Sequence, residues 1–381
     1  MPFSRSIVGL LSSFTSVLYF SSDVSATQLC HYTLSGASLE LSQRASVVYM
    51  TNAMKPTQGF SVYFGRGSQL PATLRQIGSS RAETFSLVNE GPGAGLPPQL
   101  ARLLNDVDQY DPHYAHLVAV SNADEMLAGS YRVGDVGYLR RRPGGYEKNV
   151  YTASLFKGYD LFMNTKIDNQ GTTFADVTLD LGRAFVRPEH QRSPLSFFSL
   201  LNGIGSILHS NPLSRNPKQF KALSGAASLS DKFSDRSKAI LNAYLLRYHS
   251  TGVNVEMSGK NPAQFSKITE AEDLALLDSA PKIEAVVKYI EEIEKNLGQN
   301  NKVNPLFAIY ISFGARFMAA HHDVEFHTID WFIFADASKL TVDQLTPYMG
   351  RGEIGAAKAA EFLNYHMEKD VKAFSPAKAS P

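Results

Sequence analysis

The sequence predicts an α/β fold built on a mixed sheet flanked by helices, and a few stretches carry that reading. Val177 to Val186 (VTLDLGRAFV) is the clearest strand, Leu195 to Leu208 (LSFFSLLNGIGSIL) the clearest amphipathic helix, and Ala222 to Leu229 a further strand beyond the loop at Asn211 to Pro217. Strand, helix and strand in that order favour a parallel pair, because parallel neighbours need a crossover that a helix supplies. His116 to Val120 and Met126 to Val133 read as two short strands joined by the polar turn Ser121 to Glu125, an antiparallel hairpin.

The remaining elements follow from periodicity and breakers. Leu74, Ile77, Arg81, Phe85 and Val88 recur at intervals of three or four, so Leu70 to Val88 is a helix that carries an arginine among its apolar positions. It stops at the breaker cluster Glu90-Gly91-Pro92-Gly93, and Arg140 to Gly145 is a basic, turn-rich loop. Asp235 to Tyr248, Ala271 to Leu277 and Ile283 to Leu297 look helical and form an insertion over about 235–300. The polar run Gly298 to Asn304 interrupts the pattern, Pro305 to Phe317 resumes a helix, and Thr328 to Asp336 is a final apolar strand. Residues 1 to about 60 show no strong period, and no internal repeat is present.

Bulk properties limit the function classes. A chain of 381 residues, 44% hydrophobic and 19% charged with mean hydropathy −0.16, has the composition of a globular protein able to bury a sizeable core. With 37 basic and 36 acidic side chains the net charge is +1, so no overall field draws it to nucleic acid. Cys30 is the single cysteine, which excludes an intramolecular disulfide framework and cysteine-based zinc sites and fits a reducing, cytoplasmic compartment. Ile7 to Phe20 is mostly apolar and ends near the small residues Val24 to Ala26, resembling a signal peptide, although its serines, Thr15 and thin basic flank weaken that reading. It falls short of the roughly 20 apolar residues that span a bilayer. A peripheral membrane contact and secretion therefore both stay open. The expected organisation is an N-terminal extension over 1–59, one enlarged domain over 60–370, and a disordered Ser/Pro/Ala/Lys-rich tail over 371–381.

Several blocks, in order, resemble the hemolysin-like N-acyltransferases of the N-acetyltransferase-like (GNAT) superfamily, relatives of ornithine- and glycine-lipid N-acyltransferases and, more remotely, of acyl-homoserine lactone synthases. They are Arg81-Ala82-Glu83-Thr84-Phe85 with Glu90-Gly91; Asp108-Gln109-Tyr110-Asp111 with His116-Leu117; Gly129-Ser130-Tyr131-Arg132-Val133-Gly134; Tyr151 to Phe156; Leu181-Gly182-Arg183-Ala184-Phe185-Val186-Arg187-Pro188-Glu189-His190-Gln191; Gly203-Ile204-Gly205; Ser228-Leu229-Ser230; and Asp323 to Asp330. The resemblance covers about residues 60 to 355.

It implies a central twisted mixed sheet in which two parallel strands splay apart and admit the pantetheine arm of an acyl donor. Those strands would be Val177 to Val186 and Ala222 to Leu229, whose separated N–H groups can receive the thioester. Where acetyl-CoA enzymes carry a glycine-rich pyrophosphate turn, this chain has Gln191-Arg192-Ser193-Pro194-Leu195. A donor without CoA pyrophosphate follows, acyl carrier protein first, with Arg140, Arg141, Arg142, Arg187 and Arg192 as docking candidates or, equally, as solvated surface. No resident cofactor and no metal is expected.

The family pattern makes Asp180 the candidate base, where relatives carry Glu, and Arg183 its partner in positioning charge. In a regular strand these two face opposite sides, so sharing one site requires a bulge, for which Gly182 is the natural place. Arg81, Asp108, Asp111 and Arg132 match pocket-lining charges, with Arg81 and Arg132 holding the acceptor's carboxylate or orienting the acidic side chains. Phe85 would line the acyl side, and Ser228 falls in another matching block. A structural salt bridge is the alternative for Arg81 and Arg132, and His116 is either a second base or a hydrogen-bonded structural histidine. His321, His322, Asp323, Glu325 and His327 fit no recognised zinc spacing and read as a loop into the last strand. Leu195, Phe198, Leu201 and Leu208 are core, or in part the wall of an acyl tunnel. The expected reaction is acyl transfer to the amine of an amino acid. The rivals are a lactone-forming signal synthase and an inactive acyl-binding module of the same fold.

Overall fold

A computed structural model of the chain describes residues 35–50, 59–250 and 256–374. The expectations for Ile7 to Ala26, for most of the N-terminal extension and for the tail beyond 374 lie outside these residues. The chain divides into two compact units, one comprising residues up to Val133 with Arg183–Ile207, the other Gly134–Gly182 with Leu208 onward.

In the first unit, α1 (Ser35–Arg44) leads into β1 (Ser46–Met50), β2 (Phe60–Arg66), α2 (Pro71–Ser86), β3 (Ala115–Ser121) and β4 (Leu127–Asp135, as far as Val133). β1 to β4 pair antiparallel in sequence order, and the β3–β4 hairpin is the one expected. α3 (Pro194–His209) belongs to this unit through Ile207. The start of α2 is fixed locally. Pro71 takes the first turn, where no N–H is needed, and the Glu40 carboxylate accepts from the N–H groups of Ala72 and Thr73 at 3.0 and 2.8 Å. The predicted spacing then places Leu74 and Ile77 in a core with Leu41, Leu70, Val118, Leu127 and Phe185. β2 was not expected: apart from Arg66 it is buried or half-buried on both faces, so its sequence does not alternate.

In the second unit, the short β5 (Phe156–Lys157) pairs with β8 (Ser258–Gly259), and the main strands are β6 (Thr178–Val186, as far as Gly182), β7 (Ala222–Ser230), β9 (Arg316–Asp323) and β10 (Thr328–Asp336). β6 and β7 are parallel, as the strand, helix, strand order predicts, and β10 lies antiparallel to both β7 and β9. α4 (Asp235–Tyr248), Ala271–Asp278 and α5 (Ile283–Asn296) are the insertion helices. Ile283, Val286, Ile290 and Ile293 form the buried stripe of α5. α6 (Gly352–Phe374) takes in residues 371–374, which were expected to belong to the tail.

One expected element is wrong. The helix over 305–317 is only Leu306–Ser312, and the stretch read as helix end and loop is β9. Burial alternates along β9 from Phe317 to Asp323, but His321 and Asp323 occupy inward positions, and their polarity hid the period of two.

Hydrogen-bonded neighbours follow the order β1-β2-β3-β4-β6-β7-β10-β9, a mixed eight-stranded sheet with β6 contributing to both units. β6 and β7 are nine residues each, yet their parallel register covers only Thr178–Leu181 against Ala222–Gly225. At its last pair a side chain on Gly225 would meet the Leu181 carbonyl at 2.4 Å, so glycine is what permits that approach. The second half of β6 runs beside β4, where the Arg187 N–H donates to Ala128 O at 2.9 Å.

Candidate active site

Within the first unit, α2, the loop before β3, β4 and the end of β6 carry charged side chains to one buried point. Arg81 on α2 is 1% exposed and Arg132 on β4 is equally buried. Such groups enter an interior only when paired. Arg81 donates to Asp111 through both terminal nitrogens, at 2.7 and 3.3 Å, and through Nε to Asp106 at 3.1 Å, with a further bond to the Asp106 carbonyl. Arg132 Nη1 reaches Asp108 at 2.6 Å and Asp111 at 3.3 Å. Arg183 donates to both carboxylate oxygens of Asp106, at 3.2 and 2.9 Å, and to Asp108 at 3.3 Å. Three guanidinium groups thus face three carboxylates, and formal charge cancels.

The loop is shaped for this. The N–H groups of Tyr110 and Asp111 donate to Asp108 Oδ1 at 2.8 and 3.1 Å, folding the turn, while the Asp108 N–H donates to Asp111 Oδ2 at 2.8 Å. Gly67 lets β2 approach, since a side chain there would meet the Asp111 carbonyl at 2.0 Å. The Tyr114 ring lies 5.0 Å from the Arg132 guanidinium carbon, a cation–π contact. Arg81 and Arg132 thus make the buried salt bridges of the structural alternative, Arg81 to Asp106 and Asp111 and Arg132 to Asp108 and Asp111. Asp106 was not singled out from the sequence. It belongs to the acidic run Asp106-Val107-Asp108-Gln109-Tyr110-Asp111, and that spacing was the available signal.

Burial by itself would raise the Asp108 and Asp111 carboxyls, but the Arg132 charge, with Arg183 at Asp108 and Arg81 at Asp111, holds both below the usual carboxylate range. A carboxylate so stabilised is a weak general base at neutral pH and a strong electrostatic anchor. Asp108 is the more open of the two, with 20% of its side chain exposed. Because their folded pKa values are depressed, their contribution to stability is complete above about pH 4 and fades as pH falls below it.

His116 on β3 is fully buried; its Nε2 lies 3.0 Å from the Asp111 carbonyl, to which it donates as the neutral imidazole. Burial, opposed by the Asp111 charge, holds it below the usual histidine range, so it is the structural histidine of the two readings and stays neutral. The unfolded chain gains a proton there near pH 6.5 that the folded chain lacks. Stability is therefore expected to rise as pH climbs toward about 6.5 and to level off above it, with a slope of at most about 1.4 kcal/mol per pH unit for this group. Urea titrations across that range should show a shallower slope in His116→Gln; an unchanged slope removes His116 from the account.

On β6 the backbone departs from regular strand geometry close to the expected position. The break falls at Arg183, whose φ of 55° is left-handed, one residue beyond the expected Gly182. Asp180, 1% exposed, accepts from Ser224 Oγ at 3.0 Å across the parallel pair, and the buried Tyr159 hydroxyl is pushed well above its ordinary range by burial and by the Asp180 charge.

Residues 81–199 match the acetyltransferase (GNAT) domain family. No curated protein and no solved structure matches the chain. The GNAT match opens at Arg81 and takes in the ionic cluster, β6 and the start of α3; it supports the GNAT superfamily and acyl or acetyl transfer in general. A mixed sheet flanked by helices is consistent with a GNAT-like fold.

The other residues singled out from the sequence fall as follows. Phe85 is half-buried and packs against the α2 core. Ser228 on β7 is half-buried and opposes Asp330 of β10. Arg187 is a correction: at 4% exposure it donates to the Leu127 carbonyl and to Glu189, so it anchors the end of β6 and is too buried to dock a partner. Arg140 is held by Asp176, Asn164 and Thr173, and Arg142 by the Tyr138 hydroxyl, whereas Arg141 and Arg192 are exposed. His321 Nδ1 accepts from the Asn261 N–H at 3.1 Å, and His322 and His327 lie 3.6 and 3.5 Å from Asp231.

Proposed function

We propose that the chain transfers an acyl group from a phosphopantetheine thioester, acyl carrier protein in first place, to the amine of an amino acid or related acceptor. The observation that carries the reading is the GNAT match over the segment that holds the ionic cluster and β6. Two features support the finer reading. The β6–β7 register stops after Leu181 and Gly225. The turn from β6 into α3 contains no glycine, and α3 begins at Pro194, which has no N–H to offer a pyrophosphate.

In this mechanism the amine nitrogen attacks the thioester carbonyl, the C–N bond forms, and the C–S bond breaks to release the carrier's thiol. Asp180, through a bridging water, takes the amine proton, and the proton passes to the leaving sulfur. Backbone N–H groups after Asp180 stabilise the oxyanion. Asp108, the most exposed member of the ionic cluster, and its partner Arg183 present opposite charges suited to an amino acid's ammonium and carboxylate. Purified protein given acyl carrier protein or CoA thioesters should acylate glycine, ornithine or a related amine, read by product mass spectrometry. No transfer from either donor would overturn the proposal. It would favour the inactive acyl-binding module, for which the burial of Asp180 against Ser224 is the specific support.

A further inference from the structure

Large hydrophobic side chains reach solvent at sixteen positions among the described residues, and seven of these fall within 87–107. That segment links α2 to the acidic loop of the ionic cluster. Leu100 is 53% exposed, Leu103 77% and Leu104 46%; together with Val107 they follow the i, i+3, i+4, i+7 spacing of one helical face. The helical turns Pro98–Ala101 and Arg102–Leu104 are continuous, so the first three share that face in fact. The patch extends to the end of α2. A side chain at Gly93 would meet Ala101 Cβ at 2.7 Å and Ser86 Cβ at 3.4 Å, which sets Leu100 and Leu87 on neighbouring backbone. Apolar area of this kind on a globular surface marks a contact.

We propose that residues 87–107 rest on a lipid bilayer surface. Three observations select lipid over a folded partner. The side chains are protruding aliphatics rather than the aromatic and arginine anchors of protein interfaces. The segment holds only Glu90, Arg102 and Asp106 as charges, so binding draws on apolar insertion rather than on attraction to acidic headgroups. The chain also carries a second mostly apolar stretch, Ile7 to Phe20, shorter than a bilayer span, and interfacial binding grows with the apolar area inserted. No described helix is long and apolar enough to cross a membrane. The inference deepens the acyl-transfer reading and rests on it for one point: a long-chain N-acyl product is an amphiphile that leaves most readily into lipid.

The test is co-sedimentation of the full chain with phosphatidylcholine vesicles. The wild-type chain should bind, and the double variant Leu100→Glu/Leu103→Glu should lose about tenfold or more in partition. Leu161→Glu, 65% exposed in the other unit, should bind as wild type does. Failure of the wild type to bind, equal binding by the double variant, or a concentration-dependent oligomer abolished by the double variant would each overturn the lipid assignment. Acyl transfer assayed without vesicles separates the two readings: it should survive in the double variant, and its absence in every protein with vesicle binding intact would sink the reaction and leave the docking surface standing.

Discussion

Arg132→Met is expected to lower stability by about 3–5 kcal/mol, because it removes one cation from a buried network and leaves three carboxylates facing only Arg81 and Arg183. Arg132 is fully buried, its bond to Asp108 is 2.6 Å, and its own ionisation is held firmly on by those carboxylates against the cost of burial. Methionine fills similar space, so the loss reports charge rather than a cavity. Urea denaturation at neutral pH measures it. Adding Asp111→Asn should restore part of the loss, and the difference between single and double variants gives the energy of the pair. A loss within the range of an exposed salt bridge, about 1 kcal/mol or less, would show that water reaches and solvates the cluster.

Asp180→Asn is expected to reduce acyl transfer about 100- to 10,000-fold if Asp180 is the base, with kcat rather than KM carrying the change. Asparagine keeps the size of the side chain and still accepts from Ser224, so the fold should hold. Asp180→Glu, which adds the methylene the resembled families possess, should retain or raise the rate. Steady-state kinetics with one acyl carrier protein thioester decides it. Undiminished turnover in Asp180→Asn would move proton removal to another group, or to water.

Much of the architecture was legible because a single physical pattern dominated each element. β6 and β7 announced themselves as apolar runs, α3 as an amphipathic helix between them, and the β3–β4 hairpin by its polar turn. What escaped were elements in which two demands share one sequence. β2 buries both faces and so loses alternation; β9 places a histidine and an aspartate inward; α6, with Gly355, Ala356, Ala357, Ala359 and Ala360, has too weak a stripe to stand out. In the site, Arg81 stands out as an arginine on an apolar helical face, while Asp108, Asp111 and Arg132 were found because the resembling blocks contain them. The partners were not legible. Sequence shows that an arginine interrupts an apolar face, but only three-dimensional proximity shows that Asp106 joins Arg81 to Arg183, or that Arg187 turns inward to cap a strand end.

The left-handed backbone at Arg183 carries a further meaning. A residue with a β-carbon gives up about 1–2 kcal/mol to stand there, and glycine would relieve that strain. Glycine would also abandon Asp106 and Asp108. Conformational comfort and charge balance therefore pull this position toward different amino acids, and the chain has settled for the arginine, whose two ion pairs offset the cost of the twist in the main chain.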